Sequence, residues 1–269
     1  MKIAEDINKI KNKNMDIKEA RNKDTVLWPS FDDVIGAPGN RNLLAGNMQA
    51  GWFGEVPASD FITGDELANL VGITAGVHNY TYDNEPWLKF AYEGNILLVS
   101  KKPIRWALTW NQINVANCVY GDRIVNIKGK KYKIMLLRGI SVEAQENPRE
   151  LSSAVTNQNW SGWYNKKSMW NKLMLPIMKN AETNKWYSKE AVEIPVDNWE
   201  VGYETKDIAQ RLTEEGQTFY VYSWCQDMMA NSARRCLRGE DNSYCRSWYA
   251  DFAPPTARYG WRPCLQLIG

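Results

Sequence analysis

Tryptophan constrains this chain more than any other residue. The sequence carries 13 Trp and 13 Tyr against only 6 Phe. Each such side chain joins a large apolar body to one polar atom. It suits an irregular core that offers a hydrogen-bond partner, or a surface that binds something. Short-stranded folds use Trp in the first way, and core packing is the default reading for any one of them. No run reaches the roughly 18 apolar residues that a membrane-crossing helix needs. Met1-Lys2-Ile3-Ala4-Glu5-Asp6 lacks the apolar centre of a signal peptide. The expectation is a chain folded in a cytoplasm with no membrane partner. At 269 residues it suits one large domain or two small ones.

Charge and the rarer residues narrow the function classes. Lys and Arg number 33 and Asp and Glu 31, a net charge of +2. A balance this even argues against nucleic acid as a partner, which calls for a concentrated basic face. The single histidine, His78, cannot build a multi-histidine metal site, and no nucleophile elbow accompanies it, so it reads as a loop or surface residue. The cysteines are Cys118, Cys225, Cys236, Cys245 and Cys264, with no Cys-x-x-Cys pair. Reduced, half-buried thiols and no metal are expected, with a disulfide open in the last 45 residues, where four of the five fall. No cofactor is expected.

Residues 1–24 differ from the rest: half are charged, and none is aromatic, Gly or Pro. Ile3, Ile7, Ile10, Asn14 and Ile17 step by four, three, four and three, a heptad seam with a polar residue at one core position. So short a seam is marginal as a lone helix. It predicts an N-terminal helix for oligomerisation, as a homotrimer, or for anchoring. Residues 25–50 read as a connector rich in turn residues.

Residues 51–140 predict a compact unit, a candidate subdomain. Thr63 with Glu66 three residues on is a helix-capping signal, and Thr109–Ala116 reads as a second helix. Trp87–Tyr92 and Ile96–Val99 read as strands joined at Glu93-Gly94-Asn95. Arg123–Ile127 and Lys131–Leu137 form a hairpin about Lys128-Gly129-Lys130. Residues 141–215 are polar and loop-rich, with a short helix over Ser168–Met174. Five Trp within them, at 160, 163, 170, 186 and 199, argue against disorder. Strands return at Thr218–Trp224, Arg234–Gly239 and Gly260–Leu267. The triplet Leu-Arg-Gly occurs twice, at 137–139 and 237–239, each time after a strand.

Near the C-terminus, Tyr222-Ser223-Trp224-Cys225-Gln226-Asp227, Arg235-Cys236-Leu237-Arg238-Gly239 and Tyr259-Gly260-Trp261-Arg262-Pro263-Cys264-Leu265-Gln266 follow in order. The set resembles the closing segment of a family of phage and prophage virion proteins. Pro86-Trp87-Leu88-Lys89-Phe90, Lys102-Pro103-Ile104-Arg105 and Met169–Met174 resemble the same family upstream, so the likeness spans about residues 50–269. The closing pattern is also similar to the C-type-lectin-like fold of formylglycine-generating enzymes and of variable phage tip proteins. The resemblance implies an α+β, C-type-lectin-like fold over residues 51–269, with short mixed strands, few helices and long loops, preceded by the N-terminal helix. It makes Gly260, Trp261, Arg262 and Pro263 scaffold residues, with Arg262 pairing to carbonyls or a carboxylate. It makes the segment from 240 to 259 the ligand-facing one, with Asn242, Tyr244, Arg246, Trp248, Tyr249, Phe252 and Arg258 as candidate ligand-binding residues. Tyr, Trp, Arg, Ser and Asn are the types that build adaptable binding surfaces.

Competing activities fit less well. A formylglycine-generating oxidase needs two nearby cysteines for copper. Cys245 stands near the first place, but Ala250 stands where the second would fall. Asn84-Glu85-Pro86-Trp87 lacks the final Asn of a calcium lectin's Glu-Pro-Asn loop. No motif marks the carboxylate pair of a glycan-cleaving enzyme. The resulting expectation is a non-enzymatic virion structural or decoration protein, located in the particle and partnered by other virion proteins. The alternative is a receptor-binding tip of a tail or collar fibre that meets a host-surface glycan or protein.

Overall fold

The computed structural model describes residues 36–78, 84–139, 168–179, 199, 201–212, 218–228, 234–239, 246–250 and 258–269. The heptad positions Ile3, Ile7, Ile10, Asn14 and Ile17 lie outside them. The first eight strands are Ala45–Gly46 (β1), Ala50–Val56 (β2), Val77–His78 (β3), Trp87–Tyr92 (β4), Asn95–Ser100 (β5), Arg105–Trp106 (β6), Tyr120–Ile127 (β7) and Lys130–Met135 (β8). Gln210–Leu212 (β9), Thr218–Tyr220 (β10), Tyr222–Met228 (β11), Arg234–Arg238 (β12), Arg246–Ala250 (β13), Tyr259–Trp261 (β14) and Cys264–Leu267 (β15) follow. Among the described residues four short α-helices accompany them: Gly64–Val71 (α1), Trp110–Val115 (α2), Met169–Leu173 (α3) and Thr205–Ala209 (α4). The protein is α+β, with mostly antiparallel strands and few helices.

Local chemistry explains the elements. Thr63 and Thr109 each accept the backbone N–H three residues on, and Glu66 and Gln112 reach back to the cap, so both helices start on full capping boxes. Gly72, at φ 78°, closes α1 in the left-handed region. Both predicted hairpins form, on two-residue turns: Glu93-Gly94 at φ 47° and 76°, and Lys128-Gly129 at φ 48° and 80°. Two successive positive φ values give the turn a twist that matches its strands. Asn95 and Lys130 therefore begin strands instead of completing turns.

Seven strands form the main sheet in the order β1-β2-β4-β5-β15-β8-β7, all antiparallel. Its central strands are covered on both faces. Trp87, Ala91, Ile96, Leu98, Ile134 and Leu265 face one apolar cluster. Leu88, Phe90, Leu97, Val99, Met135 and Cys264 face the other. This is why Ile96–Val99 reads as an unbroken apolar run, without alternation. The first cluster is closed by α1, α2, Trp224 and Trp261, the second by α3, Ile208 and Trp199. Seven Trp among the described residues are buried, at 52, 87, 110, 170, 199, 224 and 261. Three donate to buried carbonyls: Trp87 to Ile62 at 2.7 Å, Trp110 to Cys225 at 2.9 Å and Trp224 to Leu108 at 3.0 Å.

A second sheet has six strands in the order β13-β12-β11-β14-β6-β3, with one parallel pair, β11 and β14. The two sheets explain two departures from the sequence reading. Thr218–Trp224 is two strands, broken at Val221, whose N–H donates to Ala209 O; β10 pairs with β9 and β11 joins the second sheet. Gly260–Leu267 is also two strands. Pro263 has no N–H for a ladder, and the chain crosses there from β14 in the second sheet to β15 in the first. His78 is a further correction: it lies on β3 and is half-buried, because Asp65 Oδ2 sits 3.1 Å from its Nδ1. The thiols of Cys118, Cys225, Cys236 and Cys264 are free, as expected, but fully buried where half-burial was anticipated. Cys245 lies outside the described residues.

Candidate functional site

The candidate segment lies between β12 and β14, and β13 is the part of it among the described residues. Gly239 follows β12 at φ 89°, and a Cβ there would fall 3.0 Å from the Trp170 ring, so the position calls for a glycine. Arg246, Trp248 and Tyr249 lie on β13, the end strand in the order of the second sheet, opposite Arg238, Cys236 and Arg235 of β12. Arg258 is exposed just ahead of β14, and its carbonyl accepts the N–H of Tyr222 at 2.7 Å. Two strands separate β13 from β14, so backbones about 14 Å apart hold these two groups. The structure thus brings Arg246, Trp248 and Tyr249 together on one strand and sets Arg258 apart. Asn242, Tyr244 and Phe252 lie outside the described residues.

The motif residues around this segment form its frame. Arg262 is 1 % exposed. Its Nε donates to Ser223 Oγ at 2.9 Å and its Nη1 to Ser100 O at 2.8 Å, with further bonds to the carbonyls of Lys101 and Ile208. It pairs with carbonyls and a hydroxyl, and so ties the second sheet, the main sheet and α4 together. Burial pushes its pKa down, while four oxygens around the fork favour the charged form. Gln226 Nε2 donates to Leu136 O at 2.7 Å. Asp227 accepts the Gly139 N–H at 2.5 Å and lies 3.7 Å from Arg138 Nε. Arg238 donates to Gly139 O at 3.3 Å and to Asn171 Oδ1. The two Leu-Arg-Gly triplets therefore meet, the second arginine bonding the first glycine. Gly260 is held to a bare Cα, because a Cβ would fall 2.6 Å from Val221 and 2.7 Å from Pro103.

Two clusters were invisible in the sequence. Asp65, in the first turn of α1, bonds Arg105 Nη2 at 2.9 Å through Oδ1 and His78 through Oδ2. His78 and Arg105 are register partners across β3 and β6. The second cluster is an arginine stack. The Arg211 guanidinium carbon lies 3.4 Å from the Trp106 ring centre and 4.5 Å from that of Phe219, its cross-strand partner. Arg211 Nε and Nη1 and Trp106 Nε1 are buried without acceptors. Burial lowers the Arg211 pKa to about 10, which leaves it charged at neutral pH. Strands of two or three residues carry no readable periodicity, so neither cluster announces itself.

Among the described residues, no group of three or more His, Cys, Asp or Glu is placed to hold a metal ion. No helix among them is long and apolar enough to cross a membrane. The chain matches no family model, and no curated protein or solved structure is significantly similar to it.

Proposed function

We propose that the chain is a non-enzymatic structural or decoration protein of a bacteriophage particle. In this reading a C-type-lectin-like domain spans residues 51–269 and binds other virion proteins through the aromatic-rich segment 240–259. The observation that carries it is the division of labour around that segment. Ser223, Trp224, Gln226, Asp227, Arg238, Trp261 and Arg262, the residues that resemble phage virion proteins, are all buried frame. The stretch between Gly239 and Tyr259, with its Tyr, Trp, Arg, Ser and Asn, is then the part free to vary with the partner. A mostly antiparallel α+β frame carrying a long aromatic-rich segment on its second sheet supports the lectin-like assignment. The heptad at Ile3, Ile7, Ile10, Asn14 and Ile17 makes the protein a homotrimer, with Asn14 fixing register.

Particles banded from a phage lysate, analysed by mass spectrometry, should contain the chain; its absence from them overturns the reading. Light scattering should give a trimer for the full chain and a monomer for a chain lacking residues 1–24. Two monomers would end the oligomer assignment. The paratope-like composition of residues 240–259 favours one second reading, a receptor-binding tip. In a host-cell pull-down, retention of the full chain and loss on Trp248→Ala with Tyr249→Ala would move the assignment to that reading.

A further inference from the structure

We propose that Cys225 and Cys236 are a latent cross-strand disulfide, held as thiols where the chain folds and closed by a peroxide or a small disulfide oxidant elsewhere. The inference stands on the geometry of β11 and β12, whatever particle carries the chain. Ser223 pairs with Arg238 and Trp224 with Leu237, which makes Cys225 and Cys236 the next residues on the two strands, at the point where the β11 register shifts between Trp224 and Met228. Neighbouring strands lie about 4.7–4.9 Å apart, which suits the Cα separation of about 4.4–6.8 Å that a disulfide spans. The sulfurs converge as well. A Cβ on Gly139 would lie 2.7 Å from Cys236 Sγ and 2.9 Å from Cys225 Sγ, so both thiols crowd one point against a bare glycine. Cys225 Sγ donates to Ser223 O at 3.7 Å and Cys236 Sγ to Leu237 O at 3.9 Å, so neither thiol is held by a strong partner.

The surroundings fix the pair in place. Both residues are 0 % exposed, in the apolar cluster with Met169, Trp170 and Leu173. Trp110 Nε1 donates to the Cys225 carbonyl and Gln226 N–H to Leu137 O, which pins the backbone on both sides of Cys225. Closure then needs little more than side-chain rotation. Burial raises the Cys225 thiol pKa, so little thiolate exists at neutral pH and oxidation is slow. That keeps the pair reduced through folding in a reducing compartment and lets it close over time in an oxidising one.

With hydrogen peroxide, one thiolate attacks an oxygen and the O–O bond breaks. Hydroxide leaves and takes up a proton as water, and a sulfenic acid forms. The second sulfur attacks the sulfenyl sulfur, the S–S bond forms, and a second water leaves with the remaining proton. Two thiols and one peroxide give one disulfide and two waters. The bond clamps β12, from which the candidate binding segment departs, to β11. It would stiffen the base of that segment, whose Trp248 is the cross-strand partner of Cys236.

The test uses the full native chain, incubated with hydrogen peroxide or with a phosphine reductant, then denatured, alkylated and digested with trypsin without reduction. Cleavage after Arg234 and Arg235 separates the two cysteines, so a linked peptide is diagnostic. The expected result is a Cys225–Cys236 linked peptide as the main product after peroxide and its absence after reductant. Two singly alkylated cysteines after peroxide, or Cys225 linked to Cys245 or Cys264, would overturn the proposal. A thermal midpoint a few degrees higher in the oxidised chain, unchanged by peroxide in Cys236→Ala, is the second readout. The wild-type peptide map decides the matter even if that variant does not fold.

Discussion

The centre of the main sheet and the junction beneath α3 hold the molecule in opposite ways. In the sheet, Leu88, Phe90, Leu97, Leu98 and Val99 are buried at 1 % exposure or less against other apolar side chains. At the junction, Arg238, Arg262, Asp227, Asn171 and Ser223 are buried almost as completely and hydrogen-bond one another and the backbone. Apolar packing is non-directional and degrades gradually when a methylene is lost or moved. A buried polar network is directional, and deleting one member strands the rest without water. The junction should therefore behave as a switch between folded and unfolded, and the sheet as a graded store of stability.

Arg262→Met is the sharpest way to break that comparison. It leaves Ser223 Oγ and the carbonyls of Ser100, Lys101 and Ile208 without their donor. A loss of about 3–5 kcal/mol is expected in guanidinium unfolding followed by Trp fluorescence. Arg262→Lys should recover little, because a single ammonium cannot span acceptors set around a planar fork. A conservative swap that restored most of the stability would mean that the junction is held by charge alone.

The sheet should answer differently. Leu98→Ala removes a fully buried side chain between β4 and β15 and should cost about 2–5 kcal/mol. Leu98→Met, near-equal in volume, should cost less than about 1.5 kcal/mol in the same unfolding experiment. Conservative replacement is thus tolerated at Leu98 and not at Arg262. Equal penalties for the two conservative variants would erase the distinction.

Lys89 is the exception inside the sheet, a buried ammonium whose Nζ donates to Asn40 O at 2.7 Å and lies 5.0 Å from the Phe53 ring centre. Burial, and after it the charge of Arg41, lowers its pKa from 10.5 to about 8. Between about pH 8 and 10.5 the unfolded chain holds this proton and the folded chain does not, so this group makes stability rise with pH there. Lys89→Met should flatten that rise and add about 1–3 kcal/mol at neutral pH, where the wild type holds a charge out of water. An unchanged pH profile in denaturant titrations at pH 7, 8 and 9 would show that the amine is better solvated than its burial implies.

The same contrast decides what could be read from the sequence. Apolar runs and capping boxes are local, so β4, β5, the β7–β8 hairpin, α1, α2 and α3 were legible in kind and place, with ends that differ by up to three residues. The crossing at Pro263 was not, because Gly260–Leu267 has one continuous strand-like composition and only the second sheet reveals the break. Arg262 was legible as scaffold through its motif, but its four acceptors come from three distant segments that no spacing connects. His78 and Arg211 were missed for the same reason: each owes its place to a side chain contributed from another element, Asp65 and Trp106. Of the candidate binding residues, the strand order explains why Arg246, Trp248 and Tyr249 share an edge and why Arg258 does not join them.

The smallest expected effect lies at the caps, and it tests whether either region depends on its helices. α1 and α2 have 8 and 6 residues, too short to persist alone, so each survives by packing Leu67, Val71, Trp110 and Ile113 into the first cluster. Thr63 Oγ1 accepts Glu66 N–H at 3.2 Å and Thr109 Oγ1 accepts Gln112 N–H at 3.1 Å. Removing either hydroxyl in Thr63→Ala or Thr109→Ala should cost about 1 kcal/mol. The two losses should add in the double variant, because the helices share no cap partner. The pairs differ in one respect: Glu66 places a carboxylate at the N-terminus of α1, where Gln112 places a neutral amide in α2. Glu66→Gln should therefore cost a few tenths of a kcal/mol at low salt and less at high salt, while Gln112→Glu gains a similar amount. A penalty well above about 1 kcal/mol at Thr63 alone would show that α1 also anchors the Asp65–Arg105–His78 cluster. The cap would then belong with the polar junctions of the molecule and not with its apolar sheet.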